Sequence, residues 1–269
     1  MKKSRFVILI SLLCVGYAIF LFMDSRVKNF GENPVMSVPN STLKISTKAK
    51  DTALLKGVKV LDKEDGDISS KAFIESISEF DENNERLITY AVFDSDDNIV
   101  RSTRKLSYTD YEKPKFDIKK PLTIMYYGNG NYFLNHISAY SSVDGDITSN
   151  VSFITKFNDN NTGMVRYTVT DSCGVESSIE LKVSDIALNA TIDIELYENL
   201  IYVKKGKEFS PLAYVKSVND KGIERNDLIR NIDVYSDYDN SKAGMYEVVY
   251  ELSKSNGESG ATKLVVIVE

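Results

Sequence analysis

The sequence has little of the residues that most catalytic and metal-binding sites need. Its 269 residues include 2 Cys, 1 His and no Trp. Two cysteines cannot form a disulfide-rich small fold or a four-thiolate zinc site, and a single histidine excludes the multi-histidine metal centres. The formal net charge of −6 gives the chain no general attraction for nucleic acids. We therefore expect neither an enzyme nor a nucleic-acid-binding protein.

One long apolar run lies near the start of the chain. A basic segment, residues 1–5, precedes eighteen uncharged residues at 6–23, which as a helix would measure about 27 Å, close to the thickness of the hydrocarbon core of a bilayer. No small-residue cleavage site follows the run, so an uncleaved signal anchor is favoured over a cleaved signal peptide. The basic flank then predicts a single-pass cell-membrane protein, with its N-terminus in the cytoplasm and residues 24–269 outside.

Two motifs recur along the rest of the chain at nearly one period. The sequence LDKEDGDIS at residues 61–69 matches YSSVDGDIT at 140–148, an offset of 79 residues. Downstream, ITYAVFDSDDN at 88–98 matches VRYTVTDSCGV at 165–175, an offset of 77. Two separate motifs repeated at nearly one offset indicate a tandem duplication of one structural unit.

A third copy is degenerate. The segment AGMYEVVYELS at residues 243–253 resembles the second motif, whereas the acidic turn has decayed to VNDKGI at 218–223. After a linker at residues 24–33, the copies occupy residues 34–110, 111–186 and 187–269. We expect each to pack its own core, with short linkers near Tyr111–Pro114 and Asp185–Asn189.

The residues of each copy alternate as β-strands do. Tyr90, Tyr167 and Tyr250 each lie in a run where apolar and polar residues alternate, the pattern of a half-buried strand. Short strands separated by Asp, Asn and Gly turns in units of about 80 residues are typical of a small antiparallel sandwich. The predicted fold class is therefore all-β: three tandem immunoglobulin-like sandwiches after one transmembrane helix. No convincing helical period follows Met23.

The paired motifs resemble the bacterial immunoglobulin-like domain of surface proteins and some crystal toxins. The resemblance is carried by the D-G-D-I-[ST] turn and the Y-x-V-x-D-S hairpin. It is clear in the second copy, good in the first, where Asp97 and Asn98 replace the usual Gly-Asn, and weaker in the third. It implies a seven-stranded sandwich displayed outside the cell as a stalk, spacer or adhesive module, without catalysis.

Clustered aspartates in the turns and hairpins suggest a calcium site. Carboxylates brought together by two adjacent loops are the ligands that calcium prefers. The alternative is that the aspartates form Asx turns, with Gly66 or Gly145 at positive φ. Both interpretations stay open at this point, and no other cofactor is indicated. The candidate ligands are Asp62, Asp65, Asp67, Asp94, Asp144, Asp146 and Asp171.

The other chemistry-bearing residues give weaker signals. His136 lies in a segment read as a strand, without an activated-serine motif beside it. Cys173 lies at a predicted hairpin tip and is interpreted as a spare thiol, with an intermolecular disulfide as the alternative. A glycan-binding platform would require exposed aromatic residues on one face.

Together these patterns predict a membrane-anchored, extracellular stalk, adhesion or envelope-interaction protein without catalytic activity. Its partners would be the membrane and another surface protein or a glycan. The alternatives are a ligand-binding module for glycan or calcium, or an accessory subunit of a surface enzyme or assembly. The composition, rich in Lys, Asn and Ile, is typical of a low-GC Gram-positive bacterium.

Overall fold

The computed structural model describes residues 14–20, 32–122, 130–158, 163–183 and 190–269. The chain divides into two compact units, Met1–Asp110 and Tyr111–Glu269. The division falls between the first and second copies of the sequence repeat.

The first unit contains a seven-stranded β-sandwich. Strands β1, β3 and β4 form one sheet; β2, β7, β6 and β5 form the other, in which β2 runs parallel to β7. Residues of both sheets meet in one core, including Val60 from the first sheet and Ile88 and Leu106 from the second. The strands are β1 (Val35–Ser37), β2 (Leu43–Ile45), β3 (Lys59–Asp62), β4 (Gly66–Asp67), β5 (Phe73–Ile77), β6 (Arg86–Phe93) and β7 (Ile99–Tyr108).

The second unit begins with six described strands in two three-stranded sheets, β10-β9-β8 and β11-β12-β13. They follow the order of the first unit, with a short helix at Gly130–Asn135 and a 3₁₀ turn at Thr148–Asn150. The strands are β8 (Lys115–Ile118), β9 (Ile137–Ser141), β10 (Gly145–Asp146), β11 (Ser152–Phe157), β12 (Gly163–Thr170) and β13 (Glu176–Val183).

The remaining strands of the second unit repeat the complete pattern of the first. The sheets are β14-β16-β17 and β15-β20-β19-β18, with β15 parallel to β20 as β2 is to β7. The third copy, degenerate in sequence, therefore retains the whole strand order. Its strands are β14 (Ile192–Leu196), β15 (Leu200–Val203), β16 (Val215–Asp220), β17 (Ile223–Glu224), β18 (Asp233–Ser236), β19 (Gly244–Ser253) and β20 (Ser259–Val268).

A buried tyrosine anchors each copy, which confirms the predicted burial. Tyr90, Tyr167 and Tyr250 are each 0% exposed. Each hydroxyl donates to a backbone carbonyl in a short helical segment upstream; the acceptors are Leu54 at 2.7 Å, Phe133 at 3.0 Å and Pro211 at 2.9 Å. The tyrosine thus ties its sheet to the crossover segment through a buried hydrogen bond.

The structure contradicts the predicted transmembrane anchor and single-pass localisation. Within the predicted span, residues 14–20 are helical, while residues 6–13 and 21–23 lie outside the described part of the chain. No helix among the described residues is long and apolar enough to cross a membrane. The predicted single-pass topology with an N-terminal membrane-spanning helix is therefore wrong, and the membrane is not retained as a partner.

Two further expectations need correction. Short helices follow Met23 after all, at Asp51–Leu54 and Gly130–Asn135, because four to six residues are too few to produce a visible helical period. Each copy has a core of its own, but the second and third cores are not independent: Leu200 and Val265 of the third copy belong to the core of the second. The predicted linker Asp185–Asn189 lies outside the described residues.

Removing one buried hydroxyl tests the tyrosine anchor. Burial raises the pKa of Tyr167, so its hydroxyl stays protonated and donates. We expect Tyr167→Phe to lower the free energy of unfolding by roughly 0.5–1.5 kcal/mol, because the buried hydrogen bond to the carbonyl of Phe133 is lost. The measurement is urea unfolding, with Tyr235→Phe at an exposed site as the control. Equal stability of the two variants would show that the anchor contributes nothing.

Candidate functional site

In the first unit, the acidic turn is tied to the hairpin that follows two strands later. The Asp65 carboxylate accepts the backbone N–H of Ser95 at 2.8 Å and the Ser95 hydroxyl at 2.7 Å. These bonds hold the pKa of Asp65 below its usual value, because they favour the ionised form. The β3–β4 turn and the β6–β7 hairpin are therefore one connected structure.

The other two aspartates of this turn shape the turn itself. Asp62 Oδ1 accepts the N–H groups of Glu64 at 2.8 Å and Asp65 at 2.7 Å, as in an Asx turn. Asp67 Oδ1 accepts the N–H of Ser69 at 2.9 Å. The hydroxyl and the N–H of Ser69 together lower the pKa of Asp67, because they favour its ionised form. Gly66 between them has φ +75°, a conformation that other residues rarely adopt.

Asp94, at the start of the β6–β7 hairpin, accepts hydrogen bonds from other residues of the same hairpin. Its Oδ1 accepts the N–H groups of Asp96 at 2.9 Å and Asn98 at 2.8 Å, and its Oδ2 accepts the side-chain amide of Asn98 at 2.8 Å. Burial raises the pKa of Asp94, but the bonds from Asn98 and Asp96 outweigh that effect, so the pKa lies below its usual value.

The second copy reproduces the connection between turn and hairpin. Asp144 Oδ2 accepts the N–H of Ser172 at 2.7 Å, as Asp65 does with Ser95. Asp146 Oδ1 accepts the N–H of Thr148 at 2.9 Å. Ser141 stands where the first copy has Asp62, and its hydroxyl oxygen likewise accepts two N–H groups of the turn. A serine therefore performs the turn-forming role of an aspartate.

Asp171 organises the second hairpin as Asp94 organises the first. Its Oδ1 accepts the N–H groups of Cys173 at 2.9 Å and Val175 at 3.1 Å, and Oδ2 accepts the hydroxyl of Tyr111 at 2.8 Å. Cys173 is 1% exposed, so its thiol is not placed to form an intermolecular disulfide.

The third copy also connects its turn to its hairpin, but a lysine stands where the other copies have an aspartate. Lys254 stands four residues after Tyr250, where Asp94 and Asp171 follow their tyrosines. Its Nζ lies 2.8 Å from Asp220, the last residue of β16 before the β16–β17 turn, and also forms an ion pair with Glu258. An ammonium group thus joins turn and hairpin where the other copies use a carboxylate and N–H groups.

His136 is placed differently from the prediction. Residues 130–135 are helical rather than extended, and His136 lies between this helix and β9. Its Nδ1 lies 2.7 Å from the carbonyl oxygen of Tyr132, and its ring lies 4.2 Å from the Tyr132 ring. These contacts account for the residue as part of the local packing.

The carboxylates of both copies act as hydrogen-bond acceptors within their own loops. Asp65 and Asp94 are near enough for the charge of Asp65 to oppose ionisation of Asp94. Across the described ranges, however, no group of three or more His, Cys, Asp or Glu side chains is placed to hold a metal ion. The geometry therefore favours the Asx-turn interpretation of the aspartates, while calcium binding stays a prediction.

Sequence reasoning found the aspartates but missed the serines that join the loops. Ser95 and Ser172 donate the bonds that connect hairpin to turn. The signal was the Asp-Ser pair that both copies of the second motif contain. Within each copy, these bonds bring the two motifs into contact.

Comparison with known proteins gives limited likeness. No protein-family model matches the chain. The chain is similar to the pesticidal crystal protein Cry22Aa of Bacillus thuringiensis, with 33% identity over 131 residues, 45% of this chain. It spans only 17% of the length of that protein.

Solved structures give weaker likenesses. CBM51-2 in complex with GlcNAc and INT domains, from Clostridium perfringens ZmpB, is 16% identical, with 57% of this chain and 42% of that chain covered and a TM-score of 0.24. Human CDH23 EC21–23 is 9% identical, with 88% and 100% covered and a TM-score of 0.21. Scores this low support no argument about fold or function.

The Asp65 connection predicts a particular acid sensitivity. Because its pKa is lowered from 3.8 in the folded chain, its contribution to stability is complete above that value and is lost as the pH falls through the folded pKa. We expect the thermal midpoint to fall less between about pH 5 and about pH 2 in Asp65→Asn than in the wild type. Glu64→Gln, an exposed carboxylate in the same turn, is the control. Parallel pH curves for the wild type and Asp65→Asn would contradict the role of this bond.

Thermal melting with calcium decides between the two interpretations of the loops. Because the aspartate oxygens already accept N–H groups, we expect millimolar calcium and chelator to give the same midpoint. A calcium-bound site would instead raise stability by about 2.7 kcal/mol at a hundredfold excess over Kd. A rise of several degrees that Asp67→Asn abolishes would establish the calcium site.

Proposed function

We propose that this chain is a non-catalytic, extracellular interaction or adhesion module, in which immunoglobulin-like sandwiches hold a binding surface in place. The observation that carries the proposal is that the loop aspartates are engaged in hydrogen bonds within their own loops. General acid–base catalysis needs a group that is free to exchange a proton with a substrate. Asp65 and Asp94 instead accept hydrogen bonds from their own loops, and their pKa values are lowered. These side chains serve to make the loops rigid.

Two sequence observations support an extracellular role. The paired motifs resemble those of bacterial surface-protein domains. The match to the crystal protein covers 131 residues and a small share of that protein's length, as expected of a module that is also used within larger proteins. Another surface protein is the partner that this role implies.

A binding assay with a parallel assay for turnover tests the proposal. The labelled chain is incubated with isolated cell envelopes of the source organism, with unlabelled chain as competitor and heat-denatured chain as control. We expect saturable, competable binding without release of soluble envelope fragments. Absence of saturable binding, or turnover of envelope material, would contradict the proposal.

A second candidate function, glycan binding, is favoured by one exposed aromatic pair in the first unit. Phe73 and Phe93 are 40% and 48% exposed, and their rings lie 6.1 Å apart at 14°. Arg101 Nε and Nη2 donate to the carboxylate of Glu75 at 2.7–2.9 Å. The register of β5, β6 and β7 places Phe73 and Arg101 on either side of Ala91. Aromatic rings beside paired polar groups are suited to sugar rings and their hydroxyls.

The exposed tyrosines form no comparable platform. Among the described residues they lie on separate elements: Tyr17 in the helical segment 14–20, Tyr140 on β9, Tyr197 directly after β14 and Tyr235 on β18. The glycan candidate therefore depends on the phenylalanine pair alone.

A glycan array with matched variants tests this second candidate. We expect Phe73→Ser combined with Phe93→Ser to abolish retention of any glycan that the wild type binds. Leu87→Ser, which alters an exposed apolar residue on the same strand as Phe93, should leave retention unchanged. Equal retention by the double variant would remove the pair from the candidate site.

A further inference from the structure

The last strand of the chain is buried on both faces. Along β20, Leu264 and Val266 pack in the core of the third copy, whereas Val265 belongs to the core of the second copy and Ile267 packs against it. On β15, Leu200 and Ile201 divide in the same way. Two-sided burial explains why residues 264–268 read as a continuous apolar run rather than an alternating one. The sheet β15-β20-β19-β18 therefore lies between two cores.

Polar contacts from the third copy complete an edge strand of the second. β8 is the outer strand of its sheet. The N–H of Phe116 on β8 donates to the hydroxyl oxygen of Tyr202 at 2.8 Å. The Asn199 side chain donates to the carbonyl oxygens of Ile118 and Lys119 at 3.1 and 3.0 Å. Groups that an edge strand normally leaves to water are thus paired by the neighbouring copy.

A buried lysine lies at the same contact. Lys263 is 4% exposed; its Nζ donates to the carbonyl oxygen of Lys182 on β13 at 2.7 Å and to Glu247 on β19 at 2.9 Å. A buried ammonium group is costly unless both charge and hydrogen bonds are satisfied. Its partners come from both copies, so only an arrangement that brings the two copies together in this way satisfies it.

The same positions in the other copies provide an internal comparison. The strand partners of the buried tyrosines are Ser102, Ile179 and Thr262. Three residues after each partner, the copies have Lys105, Lys182 and Val265 respectively. The two lysines are exposed, whereas the valine is 3% exposed. An apolar outer face at this position is therefore specific to the third copy.

We infer that the second and third copies are a single cooperative unit, in which the sheet of the third copy completes the core of the second and Lys263 fixes how the two are joined. The first copy closes its core with its own seven strands. The second copy takes Leu200 and Val265 into its core from its neighbour, so its stability depends on that neighbour.

Replacing the valine with the residue that the other copies carry tests the inference in the full chain. Val265→Lys keeps a side chain that the sheet tolerates at Lys105 and Lys182, but it places a charge against the core of the second copy. We expect the amides of β8 and β12 to exchange hydrogen at least about tenfold faster, together with those of the inner strands β16 and β19, while the amides of β6 in the first unit stay protected. Ile223→Lys, at an exposed site of the third copy, is the control and should change neither copy.

The outcome decides the inference in each case. Unchanged exchange in β8 and β12 of a folded Val265→Lys variant would overturn it, because the second copy would then be stable by itself. If that variant fails to fold, Tyr202→Phe decides, since it removes only the hydroxyl that accepts the N–H of Phe116. Faster exchange confined to β8 would support the inferred contact between the second and third copies. Unchanged exchange at β8 would overturn the inference.

Discussion

The hydrogen bond from the central-strand tyrosine to a carbonyl of the crossover segment is the constraint on which each sandwich depends. It pairs a polar group at the bottom of the core and fixes the strand that leads into the hairpin. Four residues later come Asp94, Asp171 or Lys254. The two aspartates accept N–H groups of their own hairpins, and Lys254 forms an ion pair with Asp220 of β16. Correct placement of the tyrosine therefore determines whether turn and hairpin can meet. The positions of the turn and hairpin at this end of each sandwich therefore depend on the packing of the core.

Different chemistry makes the same connection in the third copy. Carboxylates that accept N–H groups join turn to hairpin in the first two copies, and the pair Lys254–Asp220 joins them in the third. The fold thus requires that the two loops be joined, and several residue types can do this. This explains how the acidic motif can decay in sequence while the strand order stays complete. For the proposed function, the loop ends supply rigidity, and contact with a partner falls to exposed side chains elsewhere.

Much of the β architecture and the buried tyrosines could be predicted from the sequence, because alternation and turn residues are local signals. The joint between the second and third copies could not, since the partners Phe116 and Tyr202 are far apart in the chain. One signal was present: the apolar run at residues 264–268 is typical of a strand buried on both faces. The membrane prediction is not supported, because no helix in the described ranges is long and apolar enough to cross a membrane. At the candidate site, the aspartates were visible but their acceptor role was not, because it depends on serines in another loop.

Differential scanning calorimetry of the full chain, compared with the Tyr250→Phe variant, tests the central claim most directly. The claim is that residues 111–269 unfold as one cooperative unit. The account predicts two transitions, and Tyr250→Phe, although it lies in the third copy, should lower the transition that contains the second copy as well. The transition of the first unit should stay where it is. Three separate transitions, of which the substitution moves only one, would contradict the account.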